Sequence, residues 1–469
     1  MRRIGPALVA AAALAGCGGG GHRPATPATA SAPARPQLHD TRCDLELPGF
    51  RCAQLRVPLH RRGAHARDGE TLTLDVAIQR VARAPRGDLV LLTGGPGQPG
   101  RAFGPRMAER LRDALRGYRL ITLDQRGTGG GALTCPALQA QMGSSDLAVP
   151  SRAAVVACAR ALGARRDAFA TADTVADLDD LRAALGVPRW VLAGVSYGTF
   201  VAERYARAHP DRTRGLVLDS VVPQAGAELL ERVPLQATAR VLRAVCAAQR
   251  ATPCAGDPAD DLRAVLARRP ALGPRILDAV TGLSIGVPHL DAVPAVLHRA
   301  RTGDVAPLMD LLGAVRRAEA APAALLSQGL HAATLCADSP APWPGGPAAP
   351  AAVRERTLQR LRTTLTAADT GAFDARTALG QGLLLTCRWW PPVAAPPAPD
   401  SARSPIAAPA LLLAGDRDLS TPLEWAQAQA ARMPHARLVV VPGAGHSVLS
   451  RAQDPRGRRA VATFLAGLP

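Results

Sequence analysis

The sequence predicts an α/β fold: a mostly parallel sheet with helices on both faces, interrupted by a large helical insertion. Two observations point there. Short apolar runs closed by glycine- or aspartate-containing turns alternate with stretches of helical periodicity, the pattern of strand–helix–strand units. That rhythm stops after residue 222 and resumes near 405, with helical patterning and Pro-rich breaks between, at 339–350 and 391–409. The economical organisation is one domain from residues 39–222 and 405–469, with a helical cap inserted at 223–404.

The chain opens on Arg2 and Arg3 followed by an apolar run from Ile4 to Gly16. The run is shorter than the ~20 residues that span a bilayer core. It has the charged start and short apolar stretch of a secretion signal. It ends Leu14-Ala15-Gly16-Cys17, which resembles a bacterial lipobox, so residues 1–17 are expected to be a lipoprotein signal with Cys17 as the lipidated residue. Cleavage after Ala15 is the competing reading. Of 9 cysteines, setting Cys17 aside leaves an even number, suited to pairing in an oxidising compartment. They fall into sequence neighbours: Cys43/Cys52, Cys135/Cys158, Cys246/Cys254 and Cys336/Cys387. No Cys-x-x-Cys occurs, which argues against a zinc site or a redox dithiol. Residues 18–38, four glycines and then Pro, Ala, Thr and Ser, read as a flexible tether. The expected location is therefore the bacterial cell envelope, lipid-anchored, with free secretion or a periplasmic location as the alternative.

Within the core, Leu72–Ile78 alternates as a half-exposed strand should, and Leu89–Leu92 and Tyr118–Leu123 are short apolar strands. Thr174 with Asp177 has the spacing of a capping box, placing a helix start there; Gly186-Val187-Pro188 stops that helix. Trp190–Ala193 is a strand followed by a helix through Tyr205, and Leu216–Val222 is the next strand. Leu411–Ala414 and Leu438–Val441 complete the set.

Composition excludes more than it assigns. Of 469 residues 47% are hydrophobic and 20% charged, so collagen-like and wholly disordered classes are out. The net charge of +18 suggests nucleic acid at first sight. Every one of the 56 cations is Arg, however, with no Lys or Asn, a coding bias rather than a binding signature. Arg is scattered and aromatics are only 3%, too few for a stacking platform, so no nucleic-acid partner is expected.

Gly194-Val195-Ser196-Tyr197-Gly198 is a G-x-S-x-G between a predicted strand and helix. A tight turn there lifts the serine hydroxyl to the end of the sheet. A serine nucleophile needs a base, and the base an orienting acid. Gly445-His446 follows the last predicted strand, and Gly415-Asp416-Arg417-Asp418 follows the strand before it. The order Ser, Asp, His, each after a strand, is that of a hydrolytic triad. Asp416 and Asp418 compete for the acid; the spacing to Thr421-Pro422 favours Asp418, leaving Asp416 as a turn cap. Acyl transfer also needs donors for an oxyanion: the backbone N–H of Tyr197, and one from the loop Thr93-Gly94-Gly95-Pro96-Gly97, where Gly95 is the choice.

Together these motifs resemble the secreted tripeptidyl aminopeptidases and related proline iminopeptidases, serine exopeptidases with an α/β-hydrolase core and a helical cap. The resemblance spans roughly residues 40–469 and adds Asp124-Gln125-Arg126-Gly127-Thr128-Gly129, Cys336-Ala337-Asp338 and Cys387 with Trp390. The sequence departs from it at Thr93, where many relatives carry His, and in a cap poor in aromatics. The resemblance implies that Ser196 attacks a carbonyl, His446 takes its proton, Asp418 orients the imidazole, and an acyl-enzyme is hydrolysed. An aminopeptidase must also hold a free ammonium, for which Asp338 is the first choice and Glu228 and Glu231 follow. Arg126 is expected to brace loops. The implied partner is a peptide or small ester, with no metal, organic cofactor or obligate protein partner. An esterase or lipase-like hydrolase on the same triad, and a non-catalytic binding protein on a hydrolase scaffold, remain alternatives.

Overall fold

The computed structural model describes residues 36–249, 254–286, 289–394 and 405–469. The expected signal segment, Cys17 and residues 18–35 of the expected tether lie outside them. Leu38, placed in the tether, instead begins a strand.

Nine strands form one sheet: β1 Leu38–Thr41, β2 Phe50–Pro58, β3 Thr71–Gln79, β4 Gly87–Leu92, β5 Tyr118–Leu123, β6 Trp190–Val195, β7 Thr213–Asp219, β8 Ala410–Gly415 and β9 Ala436–Val441. Their order is β1-β2-β3-β5-β4-β6-β7-β8-β9. β1, β2 and β3 pair antiparallel, and β3 pairs antiparallel with β5; every later pairing is parallel. Alternate residues of the central strands feed two separate cores. Val90, Leu92, Leu192, Leu216, Leu218 and Leu412 pack on one face, and Leu89, Leu91, Val191, Val217, Leu411 and Leu413 on the other. That is why these strands read as unbroken apolar runs: both faces are covered.

Two local expectations are corrected. The helix that precedes β6 starts at Thr171, not Thr174; the Asp173 carboxylate accepts the Ala170 N–H at 3.1 Å. Thr174 and Asp177 lie inside that helix, and Asp177 is held by Arg61 and Arg126. The strand expected at Leu216–Val222 ends at Asp219, because Ser220 turns the chain with φ 60°; Val221 stays buried beyond the sheet.

Between Arg232 and Trp389 the described residues form helices and no strand. Their apolar faces, including Val241, Leu262, Leu277, Leu312 and Leu384, pack with Leu138, Val155 and Phe169 from earlier in the chain. The helices Pro136–Met142 and Arg152–Leu162 thus share a core with the inserted segment. Disulfides join Cys43–Cys52, Cys135–Cys158, Cys246–Cys254 and Cys336–Cys387.

Candidate active site

β6 delivers Ser196 to the head of the helix Tyr197–Ala208. Ser196 has φ 56°, a left-handed conformation uncommon outside glycine, and its N–H donates to Asp219 O at 2.9 Å. The flanking Gly198 is required sterically: a Cβ there would lie 2.3 Å from Leu92 O. Tyr197, first in the helix, has a backbone N–H with no acceptor in the helix's own ladder.

The loop after β8 carries Asp418, which is fully buried. Its Oδ1 accepts from Ser420 N and Thr421 N, both at 2.9 Å, and its Oδ2 from Thr421 Oγ1 at 2.7 Å. The remaining contact of Oδ2 is His446 Nδ1, at 2.8 Å. With Nδ1–H donated to this carboxylate, Nε2 is left as the basic nitrogen. Burial opposes the charged imidazole, but the Asp418 charge and hydrogen bond, aided by Asp219, outweigh it and raise the His446 pKa above the ordinary value. Asp416 accepts the Gly443 N–H at 2.7 Å, tying the β8 loop to the β9 loop, a structural part distinct from Asp418's.

No hydrogen bond joins Ser196 Oγ to His446 among the described residues. The two line one cavity of about 250 Å³ with Thr93, Gly94 and Gly95, so the hydroxyl and imidazole share one space. Such contacts commonly tighten only around a substrate. Thr93 Oγ1 donates to Gln98 O at 2.9 Å, and Gln125 Nε2 donates to Thr93 O at 3.1 Å. These bonds shape the loop that carries Gly95, whose φ is 100°.

A second cavity at Ser196 is lined by Gly95, Tyr197, Phe200, Val222, Leu335 and Trp425, and by the carboxylates Asp146, Glu231 and Asp338. Glu231 is 7% exposed, and its carboxylate has no hydrogen-bond partner among the described residues. Burial, with the nearby Asp146 and Glu228 charges, pushes its pKa up to about 8. Its φ of 54° is left-handed. Asp338 is also raised by burial, but its Oδ2 is occupied by Thr171 N at 2.7 Å and Thr171 Oγ1 at 2.6 Å. The Thr171 hydroxyl in turn lies 2.7 Å from Tyr197 Oη. Glu228 is not among the residues lining this cavity; it pairs with Arg232 at 2.9 Å.

Arg126 is 1% exposed and meets both oxygens of Asp177, at 2.7 and 2.6 Å, along with Pro58 O, Leu59 O and Ala168 O. Ser284 had no signal in the sequence. This buried residue on the cap helix Gly273–Ile285 receives the His446 N–H at its carbonyl, 3.2 Å, and the Leu419 N–H at its hydroxyl, 3.0 Å. Asp146, in the stretch between β5 and β6, lines both cavities and was equally unmarked.

Residues 89–275 match the alpha/beta hydrolase fold family model, and residues 373–467 the TAP-like protein model. The chain is 34% identical over 145 residues to a probable proline iminopeptidase of Streptomyces coelicolor, covering 30% of this chain and 34% of that one. It is 29% identical over 206 residues to a tripeptidyl aminopeptidase of Streptomyces lividans, covering 39% and 37%. It is 29% identical over 240 residues to the serine protease Hip1 of Mycobacterium bovis, covering 45% and 44%. The chain thus spans between a third and a half of the length of these relatives. From its strand order, its serine elbow and the family matches, the chain has the α/β hydrolase fold, and its C-terminal part is similar to the TAP-like proteins.

Proposed function

We propose that this chain is a serine exopeptidase that releases residues from peptide N-termini, with Ser196 as nucleophile, His446 as base and Asp418 as orienting acid. The observation that carries the reading is one arrangement: the His446–Asp418 pair opens onto the cavity of Ser196, and across the adjoining pocket stands a buried carboxylate with no partner. The proposed course is acyl transfer. Ser196 Oγ attacks the carbonyl carbon and its proton passes to His446 Nε2. Asp418 stabilises the imidazolium, and the Tyr197 and Gly95 N–H groups receive the oxyanion. Collapse expels the amine, which takes the proton from Nε2; water then attacks the ester by the same steps in reverse.

The ammonium site distinguishes an aminopeptidase from a general hydrolase. Glu231 is the better candidate, because Asp338 already binds Thr171. Relatives named as an iminopeptidase, a tripeptidyl aminopeptidase and a serine protease favour peptides over esters. The four disulfides fit an oxidising compartment, supporting export, with Cys17 as the proposed lipid anchor. No described helix is long and apolar enough to cross a membrane.

The test is a panel of free-amine and N-acetylated peptide amides, of one to three residues, beside p-nitrophenyl esters. Hydrolysis of free-amine amides at least tenfold better than of acetylated ones is expected. Equal rates on both, or turnover of esters alone, contradicts the aminopeptidase reading.

A further inference from the structure

Asp219 belongs to no part of the triad, yet it touches both halves of it. It ends β7 and is fully buried. Its backbone carbonyl accepts the Ser196 N–H at 2.9 Å, fixing the serine turn. Its carboxylate reaches the other way. Oδ1 accepts Val448 N at 2.9 Å and Oδ2 accepts Leu449 N at 2.8 Å, the first N–H groups of the helical turn that follows His446. The adjacent Ser220 Oγ accepts Ser447 N at 2.7 Å, and Ser220 and Ser447 both hold left-handed φ, 60° and 65°. Two unfavourable backbone conformations in one contact imply that the surroundings enforce them. Burial, with the Asp418 charge, pushes the Asp219 pKa up to about 6 against the Leu449 and Val448 N–H bonds and the His446 charge, so the carboxylate is ionised above that pH; Arg451 also faces His446 and opposes its charge.

We infer that Asp219 is a positioning residue of the hydrolytic site, holding the serine turn through its carbonyl and the His446 loop through its carboxylate, while its charge supports the imidazolium. The inference rests on the proposed triad. It makes a distinction that a merely structural carboxylate would not: removing the charge must move the titration of His446 as well as loosen its loop. With the negative charge gone, the imidazolium is less favoured, so the acid limb of kcat/KM moves to lower pH.

The experiment compares wild type with Asp219→Asn and Ser220→Ala on the preferred substrate across pH, with rates normalised to the fraction of sites labelled by a fluorophosphonate. A limb position does not depend on how much of the chain has folded. The expected result for Asp219→Asn is a kcat about tenfold lower or more, KM little changed, and an acid limb at lower pH. Ser220→Ala keeps the charge and loses the Ser447 contact together with the Ser220 Oγ donation to Asp219 Oδ1 at 3.3 Å; kcat is expected to fall severalfold, with the limb moving far less than in Asp219→Asn. If Asp219→Asn does not accumulate, the Ser220→Ala result decides. An unmoved limb in Asp219→Asn, or unchanged kcat in Ser220→Ala, overturns the inference. Failure of the triad reading is recognised separately, by wild-type protein that neither labels nor turns over.

Discussion

Burying Glu231 without a hydrogen-bond partner costs stability whenever it is ionised, and its pKa of about 8 records that cost. The sign follows from linkage: a folded-state pKa above the unfolded value gives stability that is complete at low pH and lost as pH rises through about 8. Glu231→Gln keeps the shape and removes the charge. Its melting temperature should exceed that of wild type most at pH 8–9 and converge with it below about pH 4.5, the ordinary carboxylate value. The same variant should raise KM for free-amine peptides at least tenfold, with little change for acetylated ones. Calorimetry and steady-state kinetics read the two effects, and a variant less stable than wild type at pH 9 would deny the buried charge. At this scale the sequence marked Ser196, His446 and Asp418 because each sits in a glycine- or turn-bearing signature after a strand. It ranked Asp338 above Glu231, because spacing cannot reveal that Thr171 has already taken the Asp338 carboxylate. Ser284 and Asp219 act through contacts between distant segments, which no local pattern encodes.

Among the elements, the parallel strands were legible since burial on both faces leaves an apolar run. β2 was not. Its buried residues run Phe50, Cys52, Ala53, Leu55 and Val57, so the alternation slips at Ala53 and the charged Arg51 and Arg56 dilute it. The start of the Thr171–Ala184 helix was misplaced because Asp177 looked like a cap residue, whereas its charge is spent on Arg126 and Arg61. The disulfide Cys336–Cys387 makes a prediction at this scale. It joins the helix Gln328–Asp338, which ends at Asp338, to the helix Gly382–Trp389 across 51 residues of sequence. Replacing both cysteines by serine should cost about 2–5 kcal/mol in denaturant unfolding. It should weaken substrate binding more than it slows the chemical step, since Asp338 lines the pocket while the proposed triad follows strands of the sheet. An unchanged unfolding midpoint would show that the pair contributes nothing.

On the scale of the whole molecule, residues 36–469 form one compact unit in which a sheet presents three loops and a cap covers them. The proposed nucleophile, acid and base follow the C-terminal ends of β6, β8 and β9, neighbours or near-neighbours in the sheet, so parallel order brings residues 196, 418 and 446 to one edge. The sequence disclosed this order through its strand rhythm. It did not disclose that residues from 133–170 share an apolar core with the inserted helices, because packing between Leu138, Val155 and those helices is a tertiary fact. The cap grips the site from above through Ser284, which binds the loops of both Asp418 and His446.

The central claim, that Ser196 is activated by His446 and Asp418, is tested most directly by fluorophosphonate labelling of the purified chain followed by peptide mass mapping. A single adduct on the peptide bearing Ser196, abolished in Ser196→Ala and slowed at least a hundredfold in His446→Ala, is the predicted result. An adduct elsewhere, or undiminished labelling without Ser196, would contradict it.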